Sequence, residues 1–238
     1  MQEYTISKLV EYVDILNDIS YGAFYRGMSN ENYMLKSSLG RLYEKNKDKA
    51  YILSREKDEF RIFRSYVQQY GNYLAFTNLD LLALAQHYGM PTRLLDWTIN
   101  PLVALYFAVK QDQHDNNAIV YILNTKSFVD DNFAIDDMLG SDKIAFNKPG
   151  ETLGGNFKCY LAKYLSPRIS AQHGIFTIHA DPFEEIGSEA ILKKIKISRD
   201  KCKSIYIDLY KIGVHEKSVF EDVSGLANWL KRTHLSED

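Results

Sequence analysis

The sequence predicts an α+β protein with a mixed, mostly antiparallel sheet and packed helices. Two observations favour this class. Helical and strand-like patterns are mixed in the first half of the chain, and three strand-like segments follow one another in the second half. A regular alternation of strand and helix, which would indicate a doubly wound parallel sheet, is missing.

The first half of the chain gives four element predictions. Apolar residues at helical spacing predict an amphipathic helix over 5–18, and the aromatic run "SYGAFYRGMS" predicts a strand. Residues 52–70 predict a longer surface helix. A helix is also predicted over 79–88, because Asn78 can act as its N-cap while Gly89 and Pro91 stop it.

A buried helix is predicted at the centre of the chain. The segment "TRLLDWT" indicates a strand or extended turn, and Asn100 followed by Pro101 is a strong helix start. The helix that follows is apolar on all sides, so we expect it to pack inside the domain against the sheet. Leu105 and Phe107 are predicted to lie in the main core. The run "NNAIVYILN" predicts a central strand.

The sequence as a whole predicts a single domain over 1–238, with a loop-rich excursion at about 125–165. After the excursion, "GIFTIHA", "AILKKIKIS" and "KSIYIDLYKIG" each predict a strand. The segment "SVFEDVSGLANWLKRTH" predicts a closing helix with Ser218 as its cap.

Composition excludes several classes of protein. A hydrophobic content of 45% with 25% charged residues is globular, and the net charge of −2 gives no overall attraction to nucleic acid. Cys159 and Cys202 are too few for a disulfide framework, which favours reduced thiols in a cytoplasm. The sequence predicts no signal peptide and no membrane span, and it has neither a P-loop nor a Gly-x-Gly-x-x-Gly motif.

One apolar segment contains an unusual number of polar groups. Ala85–Val109 includes Gln86, His87, Arg93 and Asp96. Burying such groups without partners is costly, so each is either paired or used for chemistry. The spacing of Arg93 and Asp96 in an extended segment places them on opposite faces, so each needs a partner of its own.

Three stretches together resemble the FRG domain, a family named for a Phe/Tyr-Arg-Gly signature. They are "FYRG" at 24–27, "SSLGR" at 37–41 and "AQHYGMPTRLLDWTINPLVALYFA" at 85–108, and the resemblance covers roughly residues 20–125. It implies a bacterial or phage-related domain. It assigns no catalytic residue.

The layout is also similar to ADP-ribosyltransferases that place an Arg, a Ser or Thr, and a Glu or Gln on separate strands. Arg26 lies in the early aromatic-Arg-Gly strand, Thr98 precedes the buried helix, and Gln172 lies near a glycine in a late strand. The resemblance implies that Arg26 grips the phosphates or ribose of NAD, that Thr98 orients the ribose, and that Gln172 faces the reacting sugar. The family's late Glu is missing, and Glu184 or Glu185 is an alternative carboxylate.

The sequence therefore predicts an ADP-ribosyltransferase-like enzyme or NAD glycohydrolase, with NAD as substrate and a protein or nucleic acid as acceptor. Its setting would be a cytoplasmic toxin or phage-defence effector. A non-enzymatic nucleotide- or ligand-binding module is the main alternative. The predicted catalytic residues are Arg26, Thr98 and Gln172, and the predicted ligand-binding residues are Tyr25, Gly27, Gln86, His87, Arg93, Asp96 and Trp97.

Two structural alternatives compete with these roles. Arg26 is either a ligand contact, favoured by the adjacent Gly27, or half of an ion pair with a carboxylate such as Asp96. His87, Asp96 and His173 would have to converge on one ion in a metal-dependent hydrolase or nuclease. His87 also lies near the end of its helix, where it can simply cap carbonyl groups.

Overall fold

The computed structural model describes residues 1–110, 115–123, 139, 157–162, 171–179 and 181–235. Its strands are β1 (Gln2–Ile6), β2 (Phe24–Met28), β3 (Leu94–Thr98), β4 (Ala118–Leu123), β5 (Phe157–Tyr160), β6 (Gly174–His179) and β7 (Ile191–Ile197). They form one sheet in the order β1-β7-β4-β2-β3-β6-β5, in which β1 and β7 are parallel and the other neighbours are antiparallel. The prediction of a mixed, mostly antiparallel sheet with packed helices is confirmed.

The described helices pack around this sheet. They are α1 (Leu9–Leu16), α2 (Ser38–Asn46), α3 (Lys49–Tyr66), α4 (Asn78–His87), α5 (Pro101–Val109), α6 (Cys202–Lys211), α7 (Glu216–Phe220) and α8 (Val223–Leu235). Helix α4 begins one residue earlier than predicted, because the hydroxyl of Thr77 accepts a hydrogen bond from the Asp80 amide. The predicted cap of α5 is confirmed, since the Asn100 side chain accepts from the Leu102 amide at 3.0 Å.

On one face of the sheet, two hydrophobic clusters lie on either side of its centre, whereas the cluster on the other face extends across both β2 and β3. On the first face, one cluster joins α5, α6 and α1 to β2, β4 and β7, and the other joins α3 and α4 to β3 and β6. Strands β2 and β3 meet where these two clusters meet. They pair only at Tyr25 and Thr98, whereas β2 pairs with β4, and β3 with β6, along five residues each. The centre of the sheet therefore opens between β2 and β3.

Several element predictions were wrong. Residues 202–211 form helix α6 rather than a strand, because the buried Cys202, Ile205, Tyr206 and Leu209 follow helical spacing although neighbouring apolar residues also alternate. The predicted closing helix is two helices, α7 and α8. The first of these helices ends at Glu221, which has a left-handed backbone conformation with a φ of 45°. His215, rather than Ser218, is the N-cap of α7.

The ends of the other patterns also differ from prediction. The segment 5–18 is strand β1 followed by the shorter helix α1, and 52–70 is α3 followed by one turn of 3₁₀ helix. Strand β5 lies within the predicted loop-rich excursion of 125–165. Residues 125–138, 140–156 and 163–165 of that excursion lie outside the described residues. None of the described helices has the length and apolar character of a membrane span.

Helix α5 is buried as predicted, but one of its side chains is not. Ala104 and Leu105 are inaccessible to solvent and pack in the cluster beside β2 and β4. Phe107, predicted to lie in the main core, is only half-buried. Its ring packs edge-on against Phe220 of α7, so this side chain faces the end of the core rather than its centre.

Candidate functional site

A cavity of about 290 Å³ lies where β2 and β3 diverge, bounded by α4 and α5. This volume is at the lower end of the roughly 300–1,000 Å³ that small-molecule sites span. We call this cavity the central pocket. Its lining consists of Tyr25, Arg26, Gly27, Ala83, Gln86, His87, Asp96, Trp97, Thr98, Ala104, Phe107, Gln172, Gly174, Ile175 and Phe176.

The central pocket brings together residues that are far apart in the sequence. Arg26 comes from β2, Thr98 from the end of β3, and Gln172 from the segment before β6. Every site residue predicted from sequence lines the pocket except Arg93. The pocket is therefore polar on several sides, although it lies at the centre of the sheet.

Arg26 bridges the gap between β2 and β3. Its Nη1 donates to the main-chain oxygen of Asp96 at 2.5 Å and lies 3.7 Å from Oδ2 of the Asp96 side chain. The Arg26 side chain is 17% exposed, whereas that of Asp96 is 61% exposed. Arg26 therefore pairs loosely with Asp96, as one of the two interpretations expects, and its side chain also lines the pocket.

The guanidinium of Arg26 is not fully satisfied by these contacts. Its Nε is buried and has no hydrogen-bond partner among the described residues. Burial lowers the pKa of Arg26; Asp96 opposes this shift, and the positive charge of Arg41 adds to it. A buried donor without a partner costs about 1–3 kcal/mol, so an acceptor supplied by a ligand would be stabilising here.

A chain of hydrogen bonds holds the side chain of Asp96. Gln86 Nε2 donates to Asp96 Oδ1 at 2.7 Å, and the hydroxyl of Thr92 donates to Gln86 Oε1. Thr92 is fully buried, and its amide donates to the hydroxyl of Ser38 at 3.0 Å. The chain fixes which end of the Gln86 amide faces Asp96.

Thr98 and Gln172 are joined at the other end of the pocket. The Thr98 hydroxyl donates to the main-chain oxygen of Gln172 at 2.6 Å and accepts from the Asn100 amide at 2.9 Å. These bonds tie the segment before β6 to the start of α5. Gln172 Nε2 is buried without a hydrogen-bond partner among the described residues, so it is a second unsatisfied donor at the pocket.

Arg93, predicted as a ligand-binding residue, lies elsewhere. Its side chain is fully buried and makes a two-pronged contact with the equally buried Glu56 of α3, with Nε donating to Oε1 at 2.7 Å and Nη2 to Oε2. The geometry satisfies both charges away from solvent. This placement gives Arg93 a structural role between α3 and β3 and does not support the predicted ligand contact.

Gly27, the glycine of the Tyr-Arg-Gly signature, packs against helix α5. The sequence suggested that Gly27 lets a ligand approach the backbone. A Cβ at Gly27 would lie 1.8 Å from the main-chain oxygen of Ala104 and 2.8 Å from the amide nitrogen of Ala108. Gly27 lines the pocket, but what it chiefly permits is close packing of α5 against β2.

Sequence reasoning missed some of the pocket. Phe107 was assigned to the core because its helix is apolar all round, and that pattern could not distinguish one exposed end. Thr92, which does not line the pocket but holds Gln86, was also missed, although a hydroxyl in a buried segment needs a partner and is therefore a usable signal. The other lining residues that were not predicted are Ala83, Ala104, Gly174, Ile175 and Phe176.

The metal hypothesis finds no support in the described residues. His87 and Asp96 line the central pocket, but His173 does not. Within the described ranges, no group of three His, Cys, Asp or Glu side chains is placed to hold a metal ion. The described residues therefore do not support a metal-dependent hydrolase or nuclease built on His87, Asp96 and His173.

A second polar chain lies beside the pocket. Trp97 Nε1 donates to the Thr177 hydroxyl at 3.0 Å, and the hydroxyl lies 3.2 Å from Nε2 of His179. Burial, together with the positive charges of Arg93 and Arg26, lowers the pKa of His179 to about 3. His179 is therefore neutral in the folded protein at neutral pH.

The buried His179 predicts a dependence of stability on pH. Unfolding exposes the imidazole and returns its pKa to about 6.5, so the unfolded chain binds a proton that the folded chain excludes. The stabilising contribution is present above pH 6.5 and is lost as the pH falls toward 3. We expect the free energy of unfolding to fall by about 1.4 kcal/mol per pH unit from this group between pH 6 and 4. Denaturant melts across this range would measure it.

The matched variants for this prediction are His179→Gln and His173→Asn. The first removes the buried imidazole and should flatten the pH dependence, even if it lowers stability at pH 7. The second removes an exposed imidazole at a position with a φ of 47°, which asparagine tolerates, and should leave the slope unchanged. Equal slopes in all three proteins would refute a linkage through His179.

The chain folds as an α+β domain with a polar pocket at the centre of its sheet. Residues 22–117 match the family model of the FRG domain, which supports the resemblance drawn from the sequence. The match includes β2, β3, α4 and α5, but Gln172 and the β6 residues of the pocket lie beyond it. No curated protein and no solved structure matches the chain.

Proposed function

We propose that the central pocket binds NAD and that the protein cleaves the bond between nicotinamide and ribose, either transferring ADP-ribose or releasing it. One observation supports this proposal above the others. Arg26 of β2, Thr98 of β3 and Gln172 of the segment before β6, the residues matched to the three catalytic positions of ADP-ribosyltransferases, line one pocket.

The unsatisfied donors support an acceptor-rich ligand. Arg26 Nε and Gln172 Nε2 are both buried without partners among the described residues, and both residues line the pocket. Phosphate, ribose and carboxamide oxygens of NAD are acceptors of the kind that these groups bind. Tyr25 and Trp97 add aromatic surface for a flat ring such as nicotinamide.

The size of the pocket limits how NAD is bound. A volume of about 290 Å³ suits one end of a dinucleotide rather than the whole molecule. We therefore expect the nicotinamide and its ribose to enter the pocket, with the remainder of NAD lying along the rim near His87. The setting proposed for this activity is a bacterial cytoplasmic effector, with a protein or nucleic acid as acceptor.

A non-enzymatic nucleotide-binding module is the second candidate. It is favoured by the Thr98 hydroxyl, which already makes two internal hydrogen bonds, and by the amide at Gln172 where the enzymes carry a carboxylate. In this case the pocket would bind NAD or a related nucleotide without breaking a bond.

Incubation with NAD distinguishes the two candidates. The enzyme hypothesis predicts release of nicotinamide, measured by chromatography, and labelling of an acceptor when NAD labelled in its adenine is added with a cell lysate. NADH is the control, because its uncharged ring is a poor leaving group. NAD binding without nicotinamide release would favour the binding module. Neither binding nor release would overturn both proposals.

A further inference from the structure

We infer that Asp96 supplies the carboxylate that faces the reacting sugar, and that Gln86 positions it. This inference rests on the proposed NAD cleavage. It assigns Asp96 a role in the reaction itself, beyond the ligand contact that the sequence suggested.

The central pocket needs a negative charge that the predicted catalytic residues do not supply. As the bond between nicotinamide and ribose breaks, positive charge develops on the sugar, and an anion beside it lowers the barrier. Gln172, at the late position, carries a neutral amide. Glu184 and Glu185 do not line the pocket, and Glu185 Oε1 accepts from the Leu35 amide at 2.9 Å.

Among the described residues that line the pocket, Asp96 is the one with a carboxylate side chain. Its side chain is 61% exposed, so a substrate can reach it. Gln86 holds Oδ1, whereas Oδ2 lies 3.7 Å from Arg26 Nη1, beyond hydrogen-bonding distance. One oxygen is therefore anchored, and the other has no hydrogen bond among the described residues.

Gln86 fixes the position of this carboxylate. The buried Thr92 hydroxyl donates to Gln86 Oε1, which forces Nε2 to face Asp96 as a donor. A preorganised anion costs no reorganisation as the sugar becomes positive. Gln86 is thus a positioning residue, and these two polar residues of "AQHYGMPTRLLDWT" act as one unit.

The proposed step balances with water or an acceptor hydroxyl as nucleophile. The bond between C1′ of the ribose and the ring nitrogen breaks, and its electron pair neutralises the nicotinamide ring, which leaves as neutral nicotinamide. Asp96 stabilises the positive charge on C1′. The oxygen of the nucleophile bonds to C1′, and its proton passes to Asp96 and then to solvent.

The test compares Asp96→Asn with Asp58→Asn. The first substitution keeps the size of the side chain and an oxygen for Gln86 but removes the charge. We expect kcat for nicotinamide release to fall by about 10²–10³-fold, with the Kd for NAD unchanged within about threefold. Asp58, an exposed carboxylate on α3, is the charge control, and its substitution should leave kcat unchanged. A melting curve for each variant checks folding.

A double-mutant cycle tests the role of Gln86. Gln86→Met should lower kcat more than it raises KM, and it should have little further effect in a protein that already carries Asp96→Asn. Independent effects of the two changes would refute positioning through Asp96. If Asp96→Asn releases nicotinamide at the wild-type rate, the catalytic role of Asp96 is overturned, but NAD cleavage by the protein is not. If the wild type releases no nicotinamide, both the proposed function and this inference are overturned.

Discussion

Replacing Arg93 with alanine is expected to lower the free energy of unfolding by about 3–5 kcal/mol. Arg93 and Glu56 are both fully buried, and their side chains meet in a two-pronged contact. The substitution would leave the Glu56 carboxylate in the core without its partner, which is the costly outcome for a buried ion pair. Denaturant melts of wild type and variant would measure the difference.

Two comparisons identify the cause of that loss. Arg55→Ala removes an exposed pair with Glu59 on the same helix and should cost no more than about 0.5 kcal/mol. Replacing Glu56 and Arg93 together with leucine and methionine removes both charges and should cost less than Arg93→Ala alone. A double variant less stable than the single variant would show that the loss comes from packing rather than from the unpaired carboxylate.

Gly27→Ala is expected to destabilise the protein by about 3 kcal/mol or more, at or above the upper end of the usual cost of overpacking. The new Cβ would lie 1.8 Å from the main-chain oxygen of Ala104, and a backbone atom cannot move aside as a flexible side chain can. Helix α5 would have to separate from β2, and the pocket between them would change shape. A thermal melt and a denaturant melt measure the effect.

Gly71→Ala is the control for this substitution. A Cβ at Gly71 would meet the far end of the Tyr73 ring at 2.9 Å, and that side chain can rotate away. We expect a change within about 0.5 kcal/mol. If Gly27→Ala were equally mild, α5 would not pack against β2 as closely as the structure indicates.

The sequence predicted elements well where a single local signal dominates. The caps predicted at Asn78 and Asn100 place the starts of α4 and α5 within one residue of those observed. Where apolar residues fit both the strand period and the helix period, the local sequence does not determine the secondary structure. Residues 202–211 contain apolar side chains at both strand and helix spacing, and packing of Ile205 and Leu209 beneath α5 decides for the helix.

The site was predictable in its members but not in its connections. Unusual polar residues in an apolar segment indicate that Gln86 and Asp96 have partners or a function, which placed them correctly at the pocket. No spacing rule links Arg93 to Glu56, because the two come together only when α3 packs against β3. The same argument explains Gly27, whose need for a small side chain depends on a helix that follows much later in the chain.

We propose that Arg26 binds NAD in the pocket, and calorimetric titration of wild type, Arg26→Ala and Arg26→Lys with NAD is a direct test. We expect the wild type to bind NAD and Arg26→Ala to bind it roughly tenfold to a hundredfold more weakly. Arg26→Lys should be intermediate, because it keeps the charge but loses the planar fork. Since Asp96 is largely exposed, Arg26→Ala should cost no more than about 1.5 kcal/mol of stability. If the wild type does not bind NAD and Arg26→Ala loses about 3–5 kcal/mol of stability, Arg26 is instead a structural link between β2 and β3.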